Sequence, residues 1–190
     1  MCSSDLVLDL AQRAGGIGQD LGVVRPILES VASAHEVTVT LWRRISADRM
    51  AVVLAAVSPG MFRVQLEVGH RLPLLLGSGG RVMAAYSGLT QAEMRAQFSQ
   101  LRWSKPLSFR KYVSQVNHVT EKGWSVDAGD FVAAVASMSV PVFDREGRFL
   151  LACGATMFLH RYNASQEQRL VTDLVSASRA MTERLGGAAH

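Results

Sequence analysis

The spacing of hydrophobic residues changes along the chain, and each change marks a predicted element. At first, apolar residues recur at every third or fourth position, which predicts helices over residues 4–13 and 21–35. Several glycines separate the two helices, and Asp20 precedes the second as a predicted N-cap. Pro26 lies inside the second helix, so this helix either begins near Arg25 or is kinked.

From Glu36 the hydrophobic period falls to two, which predicts β-strands. Apolar and polar residues alternate over residues 37–42 and 62–68, and a further strand is predicted over residues 50–57. Short turns separate the three segments. The pattern therefore predicts an antiparallel meander of three strands.

The stretch 68–86, V-G-H-R-L-P-L-L-L-G-S-G-G-R-V-M-A-A-Y, follows this meander. A strand-like run turns at Gly69, and residues 77–80 then form a predicted loop of small residues before a helix over residues 81–86. Glycines let backbone N–H groups approach a ligand closely, and a helix N-terminus favours negative charge. The stretch predicts a cradle for an anion that its residues do not identify.

The second half of the chain predicts three helices and three strands. Thr90 and Glu93 form a capping-box pattern that opens a short helix, and Ser108 caps a longer one over residues 109–122, closed by Gly123. Strands follow over residues 124–127, 135–143 and 149–158, and a capping box at Ser165 opens a last helix that ends near residue 185. The last strand is apolar throughout and therefore central. The hairpins predict an α+β fold with helices packed against an antiparallel sheet of about six strands.

Composition narrows the possible functions. The chain has 190 residues, of which 48% are hydrophobic, and this suits one domain with a sizeable core. Only 19% are charged, which indicates further surface buried against another subunit. The net charge is +4, but the arginines are scattered, so no nucleic-acid footprint is predicted. Without a signal peptide or a long apolar segment, we expect a soluble cytoplasmic protein with no membrane contact.

Known catalytic and metal motifs fail at residues whose chemistry matters. A nucleophile elbow needs glycine where Leu76 stands, and a dinucleotide fingerprint needs glycine where Val82 stands. A P-loop needs lysine where Arg81 stands. The histidines are far apart in sequence, so no metal is predicted, and no cofactor. Cys153 lies in an apolar strand and is expected to be an inert thiol.

Small polar residues interrupt the last apolar strands. Ser137 and Ser139 lie in one strand, Thr156 lies in the next, and Asp127 and Asp130 precede them. Either each hydroxyl bonds a nearby backbone group, or together with the glycine cradle they form a small pocket with a few placed donors.

Two blocks of sequence resemble a known family. Residues 68–85 resemble the pattern v-G-x-x-x-P-L-h-a-[ST]-a-x-G-[KR]-x-x-L-A, and residues 121–147, E-K-G-W-S-V-D-A-G-D-F-V-A-A-V-A-S-M-S-V-P-V-F-D-R-E-G, resemble a second block. Both patterns belong to the effector-binding domain of IclR-type transcriptional regulators. The resemblance covers residues 4–185. It implies a GAF-like, profilin-like curved antiparallel sheet whose concave side binds a small organic or aromatic acid, and a regulator that is not an enzyme.

The resemblance also implies the binding residues. By position in the two blocks, the expected effector contacts are Gly77, Ser78, Gly79, Asp127 and Ser137. Gly154 and Thr156 match two further small polar positions on the last strand, and the expected apolar walls are Leu66, Leu72 and Met83. Gly154 stands where serine is common, and Ala134 replaces the usual glycine. These departures suggest a ligand that is larger or less polar than the smallest keto acids.

The family also implies an arrangement of the chain. Residues 1–18 correspond to a linker helix and hinge, residues 19–186 to the effector-binding domain, and residues 187–190 to a flexible tail. A winged helix-turn-helix is expected outside this chain, so DNA would be contacted only through an absent N-terminal domain. Homodimers or homotetramers are expected. Two alternatives remain open, namely an oligomerisation module with a closed pocket and a GAF-like enzyme that uses Cys153.

Overall fold

The structure, a computed structural model, describes residues 21–59 and 64–185. The predicted first helix, its hinge, Asp20 and the tail lie outside these ranges. The helices are α1 (Arg25–His35), α2 (Gly77–Tyr86), α3 (Gln91–Phe98), α4 (Phe109–Lys122) and α5 (Ala164–Leu185), with 3-10 turns at Leu21–Val24 and Leu159–Arg161. The strands are β1 (Thr38–Arg44), β2 (Arg49–Val57), β3 (Arg71–Pro73), β4 (Ser125–Ala128), β5 (Val135–Phe143) and β6 (Phe149–Phe158).

All six strands form one antiparallel sheet in the order β3-β2-β1-β6-β5-β4, and the sheet curls into a half-barrel. The predicted α+β fold is confirmed, and the apolar strand β6 lies near the centre of the sheet, as its composition predicts. This order follows from two meanders, β1-β2-β3 and β4-β5-β6, that join where β1 pairs with β6.

Helices cover both faces of the sheet, and the period-two alternation assigns each strand residue to one face. On β1, Val39 and Leu41 are buried in the core beneath α1 and α5. The neighbouring Trp42 belongs to a second apolar core, formed with α2, α3 and α4. The sheet therefore separates two cores, and the face toward α2 also carries polar residues.

Several local predictions are confirmed. The helix containing Pro26 begins at Arg25, after a 3-10 turn, and Pro26 lies in its first turn where its missing N–H costs nothing. The capping box forms, since the Thr90 hydroxyl accepts from the Glu93 amide and the Glu93 carboxylate accepts from the Thr90 amide. Gly123 closes α4 with a φ of 81°, a conformation that favours glycine.

The prediction of a third strand over residues 62–68 is wrong for its described part. Residues 64–68 are not a strand, because the chain turns just after them, where the His70 amide donates to the Glu67 carbonyl at 3.0 Å. Pairing with β2 begins only after this turn, since Gly69 donates to the Val52 carbonyl at 2.8 Å and Val52 donates to the His70 carbonyl at 2.9 Å. The third strand is instead the short β3. The Thr38 hydroxyl donates to the Val64 carbonyl at 2.6 Å, so this segment crosses the sheet on its α2 side.

Residues 77–80 are not a loop, which corrects a second prediction. They form the first turn of α2, and the Gly80 amide donates to the Leu76 carbonyl at 3.0 Å. Of residues 77–80, only Gly77 has a positive φ, which is 67°, at the point where the chain enters the helix. The predicted capping box at Ser165 is also wrong, because Asn163 caps α5 by accepting from the Gln166 amide at 3.0 Å. In all three corrections, the sequence pattern was compatible with more than one hydrogen-bond partner.

Candidate functional site

The first turn of α2 packs against β4, β5 and β6 and brings backbone donors to the sheet. The amides of Gly77, Ser78 and Gly79 precede the first intrahelical hydrogen bond, and Leu76 at the N-cap provides no side-chain partner. Ser78 is buried, and its hydroxyl points to the sheet. This turn is the only part of α2 that has unpaired amides, so any anion at α2 would bind here.

Two neighbouring rows of residues on the sheet, here called the polar rows, face this helix turn. Each row consists of Cα partners on β1, β6, β5 and β4 in that order: Thr38, Thr156, Ser137 and Asp127 in the first row, and Thr40, Gly154, Ser139 and Ser125 in the second. The next row is apolar and contains Trp42, Ala152 and Pro141. Polarity on this face is therefore restricted to a band four strands wide.

A cluster of hydroxyl groups, here called the serine cluster, joins α2 to the polar rows through Ser78, Ser125, Ser137 and Ser139. Ser78 Oγ lies 2.8 Å from both Ser137 Oγ and Ser139 Oγ. The Ser125 hydroxyl donates to the Ser78 carbonyl at 2.8 Å. The Thr156 hydroxyl has no hydrogen-bond partner among residues 21–59 and 64–185, although Thr156 itself is buried. The predicted contacts Ser78 and Ser137 therefore touch each other, with Thr156 beside Ser137.

Gly154 lies in the second polar row, and its neighbour takes up the space beside it. A Cβ atom at this position would lie 2.7 Å from Ser139 Oγ. The space left by the missing side chain is therefore filled, and Gly154 alone does not enlarge the site.

Asp127 reaches α2 through a buried cation. The guanidinium of Arg81, which is fully buried, donates to Asp127 and to Asp130 at 2.9 Å each and to Gln115 at 3.0 Å. The other oxygen of Asp127 accepts from the amides of Asp130 and Phe131, at 3.0 and 3.2 Å. The described contacts of Asp127 are thus to protein groups, and they fix the loop after β4 against α2.

Sequence reasoning did not single out Arg81, although its position carries a signal. A cation immediately after the first turn of a helix lies near the positive end of the helix dipole, which is unfavourable unless an anion compensates it. Two aspartates follow at positions 127 and 130, and the three side chains pair in the fold. Tyr112 and Trp103 also lie within 6 Å of the guanidinium, with ring centroids at 5.8 and 5.7 Å.

Tyr112 fixes the chain just before and within the helix turn. Its hydroxyl donates to the Leu75 carbonyl at 3.0 Å and lies 3.3 Å from the Gly80 carbonyl. Burial raises the pKa of Tyr112 far above its usual value, so this hydroxyl keeps its proton. The turn that carries the unpaired amides is therefore held from α4 as well as from the sheet.

The predicted apolar walls lie in the second core but not all close to the serine cluster. Met83 is fully buried on α2, and Leu66 is half-buried in the segment that crosses the sheet. Leu72 lies on β3, and its Cα partner is Met50 of β2. Of the three, Leu72 lies on a strand that three other strands separate from β5 in the order of the sheet.

Cys153 lies on the other side of the sheet from the polar rows. It is buried in the core beneath α1 and α5, and burial raises its pKa to about 12. A thiol with this pKa carries almost no thiolate at neutral pH, and the thiolate is the nucleophile. The geometry gives no support to the alternative of an enzyme that uses Cys153.

Native Cys153 is expected to resist alkylation. In a Cys2→Ser variant, where Cys153 is the remaining thiol, iodoacetamide at pH 8 should modify the folded protein at least about a hundredfold more slowly than the denatured protein. Mass spectrometry over a time course measures both rates. Equal rates would contradict the burial seen here.

Within the described ranges, no group of three or more histidine, cysteine, aspartate or glutamate side chains could hold a metal ion. The same ranges contain no helix long and apolar enough to cross a membrane.

The family model for the bacterial transcriptional regulator IclR C-terminal domain matches residues 21–183. The Pca regulon regulatory protein of Pseudomonas putida is 27% identical over an alignment of 148 residues that covers 74% of this chain and 50% of that protein. The DNA-binding transcriptional repressor YiaJ of Escherichia coli K12 is 22% identical over an alignment of 171 residues that covers 86% of this chain and 60% of that protein. The chain thus spans about half to three-fifths of these curated relatives.

Solved structures show the same fold. The IclR transcriptional regulator from Alicyclobacillus acidocaldarius superposes with a TM-score of 0.78 at 22% identity, covering 96% of this chain and 74% of that one. The two curated relatives are named as a regulatory protein and a transcriptional repressor. The chain therefore belongs to the IclR family of bacterial transcriptional regulators, of which it is a C-terminal domain.

Proposed function

We propose that this domain senses a small organic or aromatic acid, which binds between the first turn of α2 and the polar rows. The observation that carries the proposal is the contact of Ser78 with Ser137, because it brings the N-terminus of α2 onto the polar rows of the sheet. Unpaired amides at Ser78 and Gly79 favour an anion, and the Thr156 hydroxyl adds a donor without a described partner. Arg81 is already paired with two carboxylates, so the carboxylate would be held by neutral donors.

We further propose that effector binding changes how subunits associate, as homodimers or homotetramers, and thereby acts on a DNA-binding part of the regulator. A ligand shifts such an equilibrium only by its difference in affinity between the two arrangements. The low charged fraction of 19% supports additional buried surface.

An acid that binds this site is expected to raise the melting temperature. Folded-state binding adds RT ln(1 + [L]/Kd) to the free energy of unfolding, so the rise should grow with concentration. Thermal unfolding with pyruvate and benzoate, each against a neutral counterpart such as acetone or benzamide, measures the effect. Light scattering on the same samples gives the oligomeric state.

Two threonine variants make the location testable. Thr156→Val removes a hydroxyl from the polar rows at nearly constant volume and should weaken acid binding about tenfold. Thr172→Val removes an exposed hydroxyl on α5 and should leave binding unchanged. Equal affinity of the Thr156→Val variant and the wild type would place the ligand elsewhere.

An oligomerisation module with a closed pocket is the second candidate function. It is favoured by the serine cluster, in which the Ser78 hydroxyl is already satisfied within the protein, and by the burial of Gly77–Gly79. Such a module should form the same oligomer with and without acid, and no acid of either class should raise its melting temperature.

A further inference from the structure

Ser139 and the position of Gly154 compete for one space. The two residues are Cα partners on β5 and β6, and a Cβ atom at 154 would lie 2.7 Å from Ser139 Oγ. Side-chain Cβ atoms do not approach an oxygen this closely in folded proteins. A side chain at 154 and the Ser139 hydroxyl in its present place therefore exclude each other.

Proton counting gives the serine cluster a direction. A hydroxyl has one proton and can accept two hydrogen bonds. The heavy-atom geometry makes Ser78 the donor to Ser137 Oγ, so the contact between Ser78 and Ser139 requires Ser139 as the donor. Ser137 accepts one bond in this chain, and its own proton has no acceptor among the described residues.

The direction has a consequence for recognition. Ser139 donates to Ser78, and Ser78 donates to Ser137. In such a chain each hydrogen bond polarises the next hydroxyl and strengthens the hydrogen bond that it donates. Ser137 is half-buried and the last member of the chain. Its proton is unpaired while Ser78 already occupies one of its two acceptor positions, so it favours a ligand atom that accepts.

We propose that Ser139 is the residue that makes this site select hydrogen-bond acceptors. The proposal rests on the proposed function, in which an acid binds beside Ser137. The Ser139 hydroxyl orients Ser78 toward Ser137, and its position keeps residue 154 without a side chain. A carboxylate presents two charged oxygens to the Ser137 proton, whereas the matching carboxamide presents one neutral oxygen and accepts a weaker hydrogen bond.

The first part of the test measures the affinity for benzoate and for its neutral counterpart benzamide. Pyruvate is titrated as a second acid. Ser139→Ala should weaken acid binding about tenfold and reduce the preference for benzoate over benzamide, because Ser78 then directs its own proton freely. Ser178→Ala is the matched control. Ser178 lies on α5, and its buried hydroxyl donates to the carbonyl of Pro141, which is on β5 like Ser139. Isothermal titration gives both affinities for each variant, and the control should keep the preference for benzoate.

The steric arm needs no ligand. Gly154→Ser should lower the melting temperature by several degrees, and Ser139→Ala/Gly154→Ser should recover most of it, since the hydroxyl that blocks residue 154 is gone. Thermal unfolding of the four proteins completes the cycle. Additive effects in this cycle would overturn the exclusion between the two positions.

The outcomes separate this inference from the proposed function. A wild-type protein that binds neither acid overturns both. A wild-type protein that binds benzoate, with a Ser139→Ala variant of unchanged affinity and unchanged preference over benzamide, overturns the role of Ser139 alone. A selective loss in that variant, with the control unaffected, supports it.

Discussion

Replacing Gly80 with alanine is expected to destabilise the domain by about 3 kcal/mol or more, a larger effect than most single substitutions produce. A Cβ atom at Gly80 would lie 2.2 Å from the Leu75 carbonyl carbon and 2.6 Å from its oxygen. Both atoms belong to the backbone, and the Leu75 carbonyl is held by the Tyr112 hydroxyl at 3.0 Å. The added methyl group therefore has to move the chain that leads into α2.

The adjacent glycine is the control. A Cβ atom at Gly79 would meet Trp42 at 3.7 Å and Met50 at 3.9 Å, which are ordinary van der Waals contacts. Gly79→Ala should therefore lie within about 1 kcal/mol of wild type, with a small gain from helix propensity. Urea unfolding of both variants measures the difference. Similar midpoints for the two would show that Leu75 does not restrict residue 80.

Replacing Arg81 with methionine is the second substitution with a large expected effect. Methionine fills much of the same volume but leaves the carboxylates of Asp127 and Asp130 without their cation, in sites where their side chains are 3% and 16% exposed. Removing one partner of a buried ion pair costs about 3–5 kcal/mol, because the remaining charge stays desolvated. We expect a loss in this range, measured as a shift in the denaturant midpoint.

Two further variants test the origin of that loss. Arg81→Met/Asp127→Asn should recover part of the stability, since the amide removes one unpaired charge and its oxygen still accepts from the amides of residues 130 and 131. Arg148→Met removes an arginine whose side chain is 75% exposed and pairs with Asp144, so it should cost at most about 1 kcal/mol. If Arg81→Met were no more harmful than Arg148→Met, the buried network would not stabilise the fold.

Much of the fold follows from local sequence patterns. The parts that could not be predicted have a common cause, which is hydrogen bonding between distant segments. The bounds of β5 and β6 could be predicted because alternation, hairpin residues and apolar content agree there. Alternation over residues 64–68 was misleading, since a segment lying on the sheet face is half-buried in the same way as an edge strand. Whether β2 pairs with this segment or with β3 depends on a hydrogen-bond choice that is not local.

The candidate site divides along the same line. That Ser137 and Ser139 share one face follows from the period of two within one strand, and the resemblance to the family named Ser137 and Asp127. The remaining contacts join distant residues. Ser78 and Ser139 are 61 positions apart, Arg81 and Asp127 are 46 apart, and Ser139 and Gly154 are 15 apart. They are fixed by strand register and helix placement, which no single segment encodes.

Strand β6 gives the domain two sets of residues that can evolve separately. Cys153 and Ala155 point into the core beneath α1 and α5, while Gly154 and Thr156 belong to the polar rows on the opposite face. A change in the first set alters packing, and a change in the second alters the proposed pocket. A lineage carrying this strand can therefore change its ligand preference at Thr156, or at residue 154 together with Ser139, while Cys153 and Ala155 keep the core packed.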